Sequence, residues 1–316
     1  METMRVKTLV TGGAGFIGSN VAKLLLDEGH SVVILDNLSS GYERNLRALG
    51  GSEFIEGDVT DLGLLQRVTN GVDIVFHLAA SVGNTRSIED PLTDANVNVI
   101  GTLKVLEAAR KAECRRVVFS SSAGIFGELK TLPIREDHQV EPDSPYGASK
   151  LGAEKLCLVY SKLYPLEAVC LRYFNVYGPN QRYDAYGNVI PIFVHQMLSG
   201  KQLTIFGDGE QTRDLVNVKD VARANIDAAL ARELSGAFNI ASGESITINA
   251  LVSLLSEVSG LKAPVVYGPP RPGDVRHSLA DLSRAREAFS YNPIVPIKEG
   301  LQQYVDWIRQ DLAVSP

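Results

Sequence analysis

Several things are scarce in this chain, and each scarcity closes a door. Only three cysteines occur among the 316 residues, Cys114, Cys157 and Cys170. They are odd in number, far apart and without metal-ligand spacing, so neither a disulfide framework nor a zinc or other metal site is expected. Idle thiols in a reducing cytoplasm fit that usage. No apolar run approaches the ~20 residues of a membrane span, and the charged start Met1 to Lys7 leads directly into a strand, so no signal peptide is expected. These features predict a cytoplasmic location and no membrane partner. Charge of one sign is also missing: 31 Lys and Arg stand against 37 Asp and Glu, a net of −6. No basic stripe of the kind a nucleic-acid binder carries is visible, and Arg115-Arg116 reads as solvated surface. Tandem repeats and low-complexity tracts are absent as well.

What is present is an ordinary globular composition, 45% hydrophobic and 22% charged. At ~150 residues per domain the length predicts about two domains. The first half alternates strand and helix signals. Lys7–Thr11, Ser31–Asp36, Glu53–Glu56, Val72–Leu78, Arg116–Ser121 and Glu167–Arg172 read as strands. Ile17–Glu28, Leu62–Thr69, Thr93–Ala112 and Tyr146–Tyr164 read as helices between them. Nearly all-apolar strands separated by amphipathic helices predict a parallel sheet buried on both faces, a doubly wound α/β fold of the Rossmann kind. Beyond about residue 175 loops rich in Gly, Pro, Asn and Asp (Gly178–Asn188, Gly207–Arg213, Gly268–Asp274) interrupt shorter elements. We therefore expect a dinucleotide-binding domain over 1–175, to which later strands and helices return. Residues 176–316 then form mainly a smaller α/β substrate-binding lobe.

Gly12-Gly13-Ala14-Gly15-Phe16-Ile17-Gly18 lies between the first strand and the first helix. Glycines let the backbone turn tightly and approach a pyrophosphate, and the helix start offers free N–H groups and a positive dipole end. The spacing is G-x-x-G-x-x-G, so its context matters more than the match itself. Asp36 closes the second strand, 18 positions after Gly18. A carboxylate there binds the adenosine ribose and repels a 2′-phosphate, which favours NAD over NADP. Asp58-Val59 and Ala79-Ala80 follow the third and fourth strands, at the mouth of the cofactor crevice. His77, inside an apolar strand, reads as a packed, hydrogen-bonded histidine and not as a catalyst.

Tyr146 and Lys150 are four apart near a helix start and share a face. An ammonium beside a phenol favours the phenolate, which predicts a Tyr146 pKa below the usual ~10. Such a group exchanges protons with a substrate hydroxyl. Ser122, at the end of the Ser120-Ser121-Ser122 run, is placed to hydrogen-bond the same hydroxyl.

TGGAGFIG, Asp36, GDVTD, HLAA, NVNVIGT, FSSSAGIFG, YGASK and RYFNVYGP together resemble the extended short-chain dehydrogenase/reductases. Within these they are most similar to the nucleotide-sugar 4-epimerases, over about residues 6 to 310. The resemblance implies NAD contacts at Gly12, Gly15, Phe16, Ile17, Gly18, Asp36, Asn37, Asp58, Val59, Ala79, Ala80, Asn98, Tyr146, Lys150 and Tyr173. It implies a catalytic trio of Ser122, Tyr146 and Lys150. For a UDP-sugar it implies a diphosphate contact at Asn175, a nucleotide-contacting pair Asn188-Val189, and a uracil-holding segment Thr204-Ile205-Phe206. Arg213, Arg271 and Asp274 resemble phosphate and ribose ligands; two arginines on separate loops also suit a diphosphate on chemical grounds. The implied reaction moves the C4 hydrogen to the cofactor and back to the other face of a transient 4-keto sugar, so the cofactor is expected to purify with the protein.

Close relatives of that group are separable by residue. The 4,6-dehydratases carry an Asp-Glu pair after the Ser/Thr position, where this chain has Ala123-Gly124. A uronate epimerase needs a cation for the carboxylate, and Arg172, Arg182 and Arg86 are the candidates. Such enzymes are expected to carry Arg where Asn180 stands. Ser278, in the run DVRHSLAD, occupies a position where enzymes restricted to plain hexoses carry a bulky residue. A small side chain leaves room for a 2-acetamido group, although the same serine also reads as an exposed loop residue. A dinucleotide sensor without catalysis has no need of the Ser122, Tyr146 and Lys150 set. The resemblance also implies a homodimer paired through the helices Thr93–Ala112 and Tyr146–Tyr164.

Overall fold

The computed structural model describes residues 5–314 apart from 129, 183–187 and 271–274. In chain order, β1 (Lys7–Thr11) turns into α1 (Phe16–Asp27), followed by β2 (Ser31–Asp36), α2 (Glu43–Arg47), β3 (Glu53–Glu56), α3 (Leu62–Val68) and β4 (Ile74–His77). Then come α4 (Asn84–Glu89), α5 (Pro91–Ala95), a π turn (Asn96–Gly101), α6 (Thr102–Lys111), β5 (Arg116–Ser122), α7 (Pro145–Leu163) and β6 (Glu167–Tyr173). The second half holds β7 (Asn175–Tyr177), α8 (Val189–Leu198), β8 (Leu203–Phe206), β9 (Thr212–Asn217), α9 (Val218–Leu230) and β10 (Gly236–Ile240). It ends with β11 (Ser245–Thr247), α10 (Ile248–Ser259), β12 (Val265–Gly268), α11 (Ser283–Phe289) and α12 (Ile297–Val314).

Seven strands form one sheet in the order β10-β6-β5-β4-β1-β2-β3, with every neighbouring pair parallel. The expected doubly wound parallel sheet is therefore what the chain forms. β1, β2, β4, β5 and β6 are buried along almost their whole length, because helices cover both faces. On one face of the sheet α1, α9 and α11 share an apolar layer; the other face packs α3, α6 and α7. Strand order reverses between β1 and β4, and ligand crevices of open α/β sheets lie at that switch point. A third apolar cluster unites α8, α10, α12, β8 and β9. It supports a three-stranded sheet, β11-β9-β7, and a two-stranded one, β12-β8. β10 returns to the edge of the large sheet, pairing with β6.

Two expectations about element bounds need correction. Thr93–Ala112 is not one regular helix: the π turn Asn96–Gly101 interrupts it. There the Thr102 hydroxyl donates to the Asn98 carbonyl at 2.6 Å, and turns of this kind gather at functional sites. The segment Gly207–Arg213 is loop only to Gln211, since Thr212 and Arg213 pair with β11. Among the described residues no helix is long and apolar enough to cross a membrane, and all three cysteines are buried thiols.

Arg116, fully buried at the start of β5, ties the sheet to α9. Its guanidinium donates to the carbonyls of Ala228, Ala229 and Ala231 at 2.6, 2.7 and 2.8 Å and pairs with Glu167. The reading of Arg115-Arg116 as solvated surface therefore fails for Arg116. Removing one member of a buried charged set strands the rest. Arg116→Met is expected to lower the unfolding free energy by about 3 kcal/mol, read from the denaturant midpoint; an unchanged midpoint contradicts that role.

Candidate active site

The turn after β1 is built by close backbone approach. Gly12 has φ +72°, and a Cβ there would lie 2.6 Å from the Ala79 nitrogen beyond β4. A Cβ on Gly18 would run into the Gly12 carbonyl. With both positions bare, α1 starts directly at the crevice. Gly15 serves as its N-cap in extended conformation, and no side chain caps the helix. Uncapped N–H groups at the dipole's positive end form an anion cradle. Phe16 and Ile17 pack on the core below.

Asp36 stands at the end of β2, almost buried, and braces this turn. Its carboxylate accepts from Ala14 N at 2.9 Å and Leu38 N at 2.8 Å. Burial nonetheless holds its pKa above the ordinary value. The Gly15 amide also contributes to holding the carboxylate, and two oxygens with about four acceptor positions still leave one for a ribose hydroxyl. Asn37 donates to Asp58 at 2.6 Å, and Asp58 also accepts from the Thr60 amide and hydroxyl, both at 2.7 Å, which keeps it ionised. Val59 is buried beside Gly101. The Ala79-Ala80 segment is held from two sides. Thr11 Oγ1 accepts from Ala79 N at 3.3 Å, and Asn98 brackets Ser81 through its amide oxygen and nitrogen at 2.9 and 3.0 Å. Asn98 also donates to Asp94 and Ser149, so its side chain positions the crevice wall. The glycine cradle, the bare helix start and the Asp36 oxygens together fit a dinucleotide.

Ser122, Tyr146 and Lys150 meet where β5 ends and α7 begins. Ser144 caps α7 by accepting from Gly147 N at 3.1 Å, and Pro145 occupies its first position. The Tyr146 hydroxyl lies close enough to Ser122 for that side chain to lower its pKa, and the Ser122 oxygen accepts from Gly124 N at 3.1 Å. Lys150 is buried; its Nζ lies 4.5 Å from the centroid of Phe119 and donates to Ser120 Oγ at 3.3 Å. The expected lowering of the Tyr146 pKa does not occur. Burial raises it to about 12, opposed by the Ser122 bond and reinforced by the Asp94 charge. Desolvation disfavours phenolate here, and the Lys150 ammonium is turned to Ser120 and Phe119. Burial also pulls Lys150 down to about 8, against the pull of Cys157, Asp94, Cys170 and Glu154. His77 is packed as expected, bonded to Thr11 and Thr102 at 2.8 and 2.9 Å; burial, then Lys150, hold it at about 3.

A cleft of about 430 Å³ opens in the second half, lined by Phe206, Gln211, Val275 and Arg276 among others. Thr204 and Phe206 lie on the open face of β8, whereas the Ile205 side chain is 2% exposed and packs into the core, so only its main chain is available there. Asn175 donates to the Asp214 carbonyl at 3.2 Å. Arg213 donates to the carbonyls of Thr212 and Val275 at 2.9 and 2.7 Å. Tyr173, beside Ser122 in register, gives its hydroxyl to Asn225 at 2.9 Å. Asn188 and Val189 open α8. Ser278 is buried and not an exposed loop residue. Arg271 and Asp274 lie outside the described residues.

Three features were not anticipated from sequence. Asp94 is buried beside Asn98, and their four-residue spacing on one helix was the available signal. Asp208 and Arg276 form a bidentate pair, both contacts at 2.8 Å, at the cleft; no local spacing announces it. Arg172, a candidate uronate partner, is instead paired with buried Glu154 through Nε at 3.0 Å and a terminal nitrogen at 2.7 Å.

Residues 8–241 match the NAD dependent epimerase/dehydratase family. The chain belongs to that family, and it is an enzyme by that membership. It is 40% identical to the UDP-glucose 4-epimerase of Mycolicibacterium smegmatis, covering 96% of this chain and 99% of that one. The UDP-glucuronate 4-epimerase of Thermodesulfobacterium geofontis is 36% identical over 96% of each chain. The structure of the UDP-N-acetylglucosamine 4-epimerase from Methanobrevibacter ruminantium, in complex with UDP-N-acetylmuramic acid, superimposes with a TM-score of 0.94 at 38% identity. It covers 98% of this chain and 100% of that one.

Lys150 yields a stability prediction. Below about pH 8 the native protein keeps a proton on a buried amine at a cost, so Lys150→Met is expected to be more stable by up to about 3 kcal/mol. Between pH 8 and 10.5 the unfolded chain holds a proton that the native site has released, and the wild type gains stability. The variant's advantage should therefore shrink as pH rises, followed by denaturation at about pH 7, 9 and 10. An advantage that grows with pH contradicts the buried-ammonium account.

Proposed function

We propose that this enzyme is an NAD-dependent UDP-hexose 4-epimerase, able to take the N-acetylated substrate. The observation that carries the reading is the approach of Tyr146, at the start of α7, to Ser122, at the C-terminal end of β5 and on the same sheet edge as the bare glycine turn. The turn at Gly12, Gly15 and Gly18 would hold the pyrophosphate and Asp36 the adenosine ribose. Asn37, Asp58 and Val59 would wall the adenine side, and Ala79, Ala80, Lys150 and Tyr173 the nicotinamide side. When bound there, NAD supplies a hydride acceptor and donor at C4, and its cationic ring favours the Tyr146 phenolate.

The protein's own groups manage the proton and the position. Ser122 and Tyr146 converge on one hydroxyl, Ser122 to orient it and Tyr146 to take and return its proton. Lys150 adds positive charge behind them. Phe206 and the 430 Å³ cleft suit a flat base. Asn175, Arg213, Arg271 and Asp274 would hold the diphosphate and ribose, so that the sugar can turn while the nucleotide stays anchored. Residues 176–316 then serve mainly as the nucleotide-sugar lobe. Dehydration is disfavoured, because Ala123 and Gly124 follow Ser122 in a 3-10 turn without a carboxylate. The uronate reading loses one support: Arg172 is spent on Glu154.

Proton NMR of the purified protein with UDP-N-acetylglucosamine, UDP-glucose or UDP-glucuronate, without added NAD, tests the reading. We expect galacto-configured product from the first two, and Tyr146→Phe to lose at least about 100-fold in kcat. Turnover of the glucuronate alone, or of none of the three even with NAD supplied, overturns it.

We also propose a homodimer. α4, α5, the π turn and α7 pack against one another and leave Ile88, Leu92, Ile100, Val159 and Leu163 exposed, Leu92 by 83%. Exposed apolar patches of this kind mark interaction sites. Leu92→Glu is expected to convert the dimer to monomer in sedimentation equilibrium; a wild-type monomer refutes the proposal.

A further inference from the structure

Beneath the Ser122–Tyr146 pair lies a cluster that the reaction itself does not use. Glu154, fully buried two turns along α7 from Tyr146, faces β5 and β6. Its Oε2 accepts from Ser121 Oγ at 2.7 Å and from Arg172 Nε at 3.0 Å, and its Oε1 accepts from Arg172 at 2.7 Å. Ser121 and Arg172 are register partners in adjacent parallel strands, so one carboxylate grips two strands at the same level. Arg172 also donates to the Glu136 carbonyl at 2.8 Å, and its guanidinium lies 5.1 Å from the Phe126 ring centroid. Glu136 in turn accepts from Asn239 N of β10 at 2.8 Å.

The next register pair is Ser122 with Tyr173. Ser120, one residue below Ser121, accepts from Lys150. Three consecutive serines of β5 thus each face a different residue of α7: Ser120 is hydrogen-bonded to Lys150 and Ser121 to Glu154, and Ser122 lies beside Tyr146. The Ser122 and Ser120 contacts each involve a residue assigned above to substrate or cofactor. The Ser121 contact joins only protein, and it is the one backed by an ion pair. A buried pair is weak support for stability, since hydrophobic replacement is often neutral or better, whereas it can fix one geometry among several. Proton transfer is sensitive to such geometry: a misplacement of about 1 Å can cost ~100-fold.

We propose that Ser121, held by Glu154 and Arg172, is the positioning residue that sets β5 against α7 and thereby the distance from Ser122 to Tyr146. The proposal rests on Ser122 and Tyr146 being the pair that meets the substrate hydroxyl. Ser121 touches neither substrate nor cofactor in this role.

The test uses Ser121→Ala, Ser121→Thr and, as a second disruption, Glu154→Gln, each in the full-length protein. Two readouts are taken: kcat and KM for the UDP-sugar, and the NMR resonance of 13Cζ-labelled Tyr146, assigned by its loss in Tyr146→Phe. Ser121→Ala is expected to lower kcat about 10-fold with KM within about twofold, and to shift the Tyr146 resonance. Ser121→Thr, which keeps the hydroxyl, should restore both. Should Glu154→Gln fail to fold, the serine pair still decides. A folded Ser121→Ala with wild-type kcat and an unmoved Tyr146 resonance overturns the proposal. So does a lowered thermal midpoint with neither catalytic nor spectral change. Absence of turnover in the wild type would instead defeat the assigned reaction, and the Tyr146 resonance would still report whether Ser121 positions it.

Discussion

Lys150 presents the fold with a charge that has to be buried, and much of the architecture follows from how that is done. An ammonium out of water is costly unless other groups compensate. Here the compensation is partial. Phe119 offers its ring face, Ser120 one acceptor, and Asp94 and Glu154 act at longer range. The amine's pKa falls to about 8 in consequence, and burial, then the Lys150 charge, keeps the nearby imidazole of His77 uncharged. Desolvation raises the Tyr146 pKa to about 12 as well, which favours the neutral phenol.

Around that charge the supporting parts are arranged in shells of hydrogen bonds that run through the sheet. Thr11, His77, Thr102 and Asn98 form a continuous chain from β1 to the π turn. Asn98 then fixes the segment after β4, against which Gly12 packs. Asn98 also donates to Ser149, whose hydroxyl donates to the Tyr146 carbonyl, so hydrogen bonds link the wall beside the glycine turn to the start of α7. On the other side Asp214, fully buried, gathers the amides of Ser242, Gly243 and Ala280. That knot holds together the segments next to Ser278 and Arg213.

The parallel sheet was legible because strands buried on both faces must be apolar along their whole length, a pattern that β1, β2, β4, β5 and β6 display with little interruption. The glycine turn, Asp36 and the Tyr146–Lys150 spacing were legible for a similar reason: each is local, set by a few consecutive residues. The Tyr146 pKa was not, because spacing tells that Lys150 is near but not that its amine turns to Ser120 and Phe119. Glu154, Arg172 and Ser121 come from α7, β6 and β5 and meet only through strand register, and Asp208 finds Arg276 across two loops. Ile205 shows the limit of carrying a segment over whole, since the alternation of β8 sends its side chain into the core while Thr204 and Phe206 face the cleft.

One chemical claim underlies the roles of Tyr146 and the dinucleotide crevice: the C4 hydrogen leaves the sugar and returns to it, without passing through water. Epimerisation in D2O, followed by proton NMR of the product, tests this directly. Retention of protium at C4 of the epimerised sugar is the predicted result. Deuterium at C4 would mean that a base removes that hydrogen as a proton, and both of those roles would be wrong.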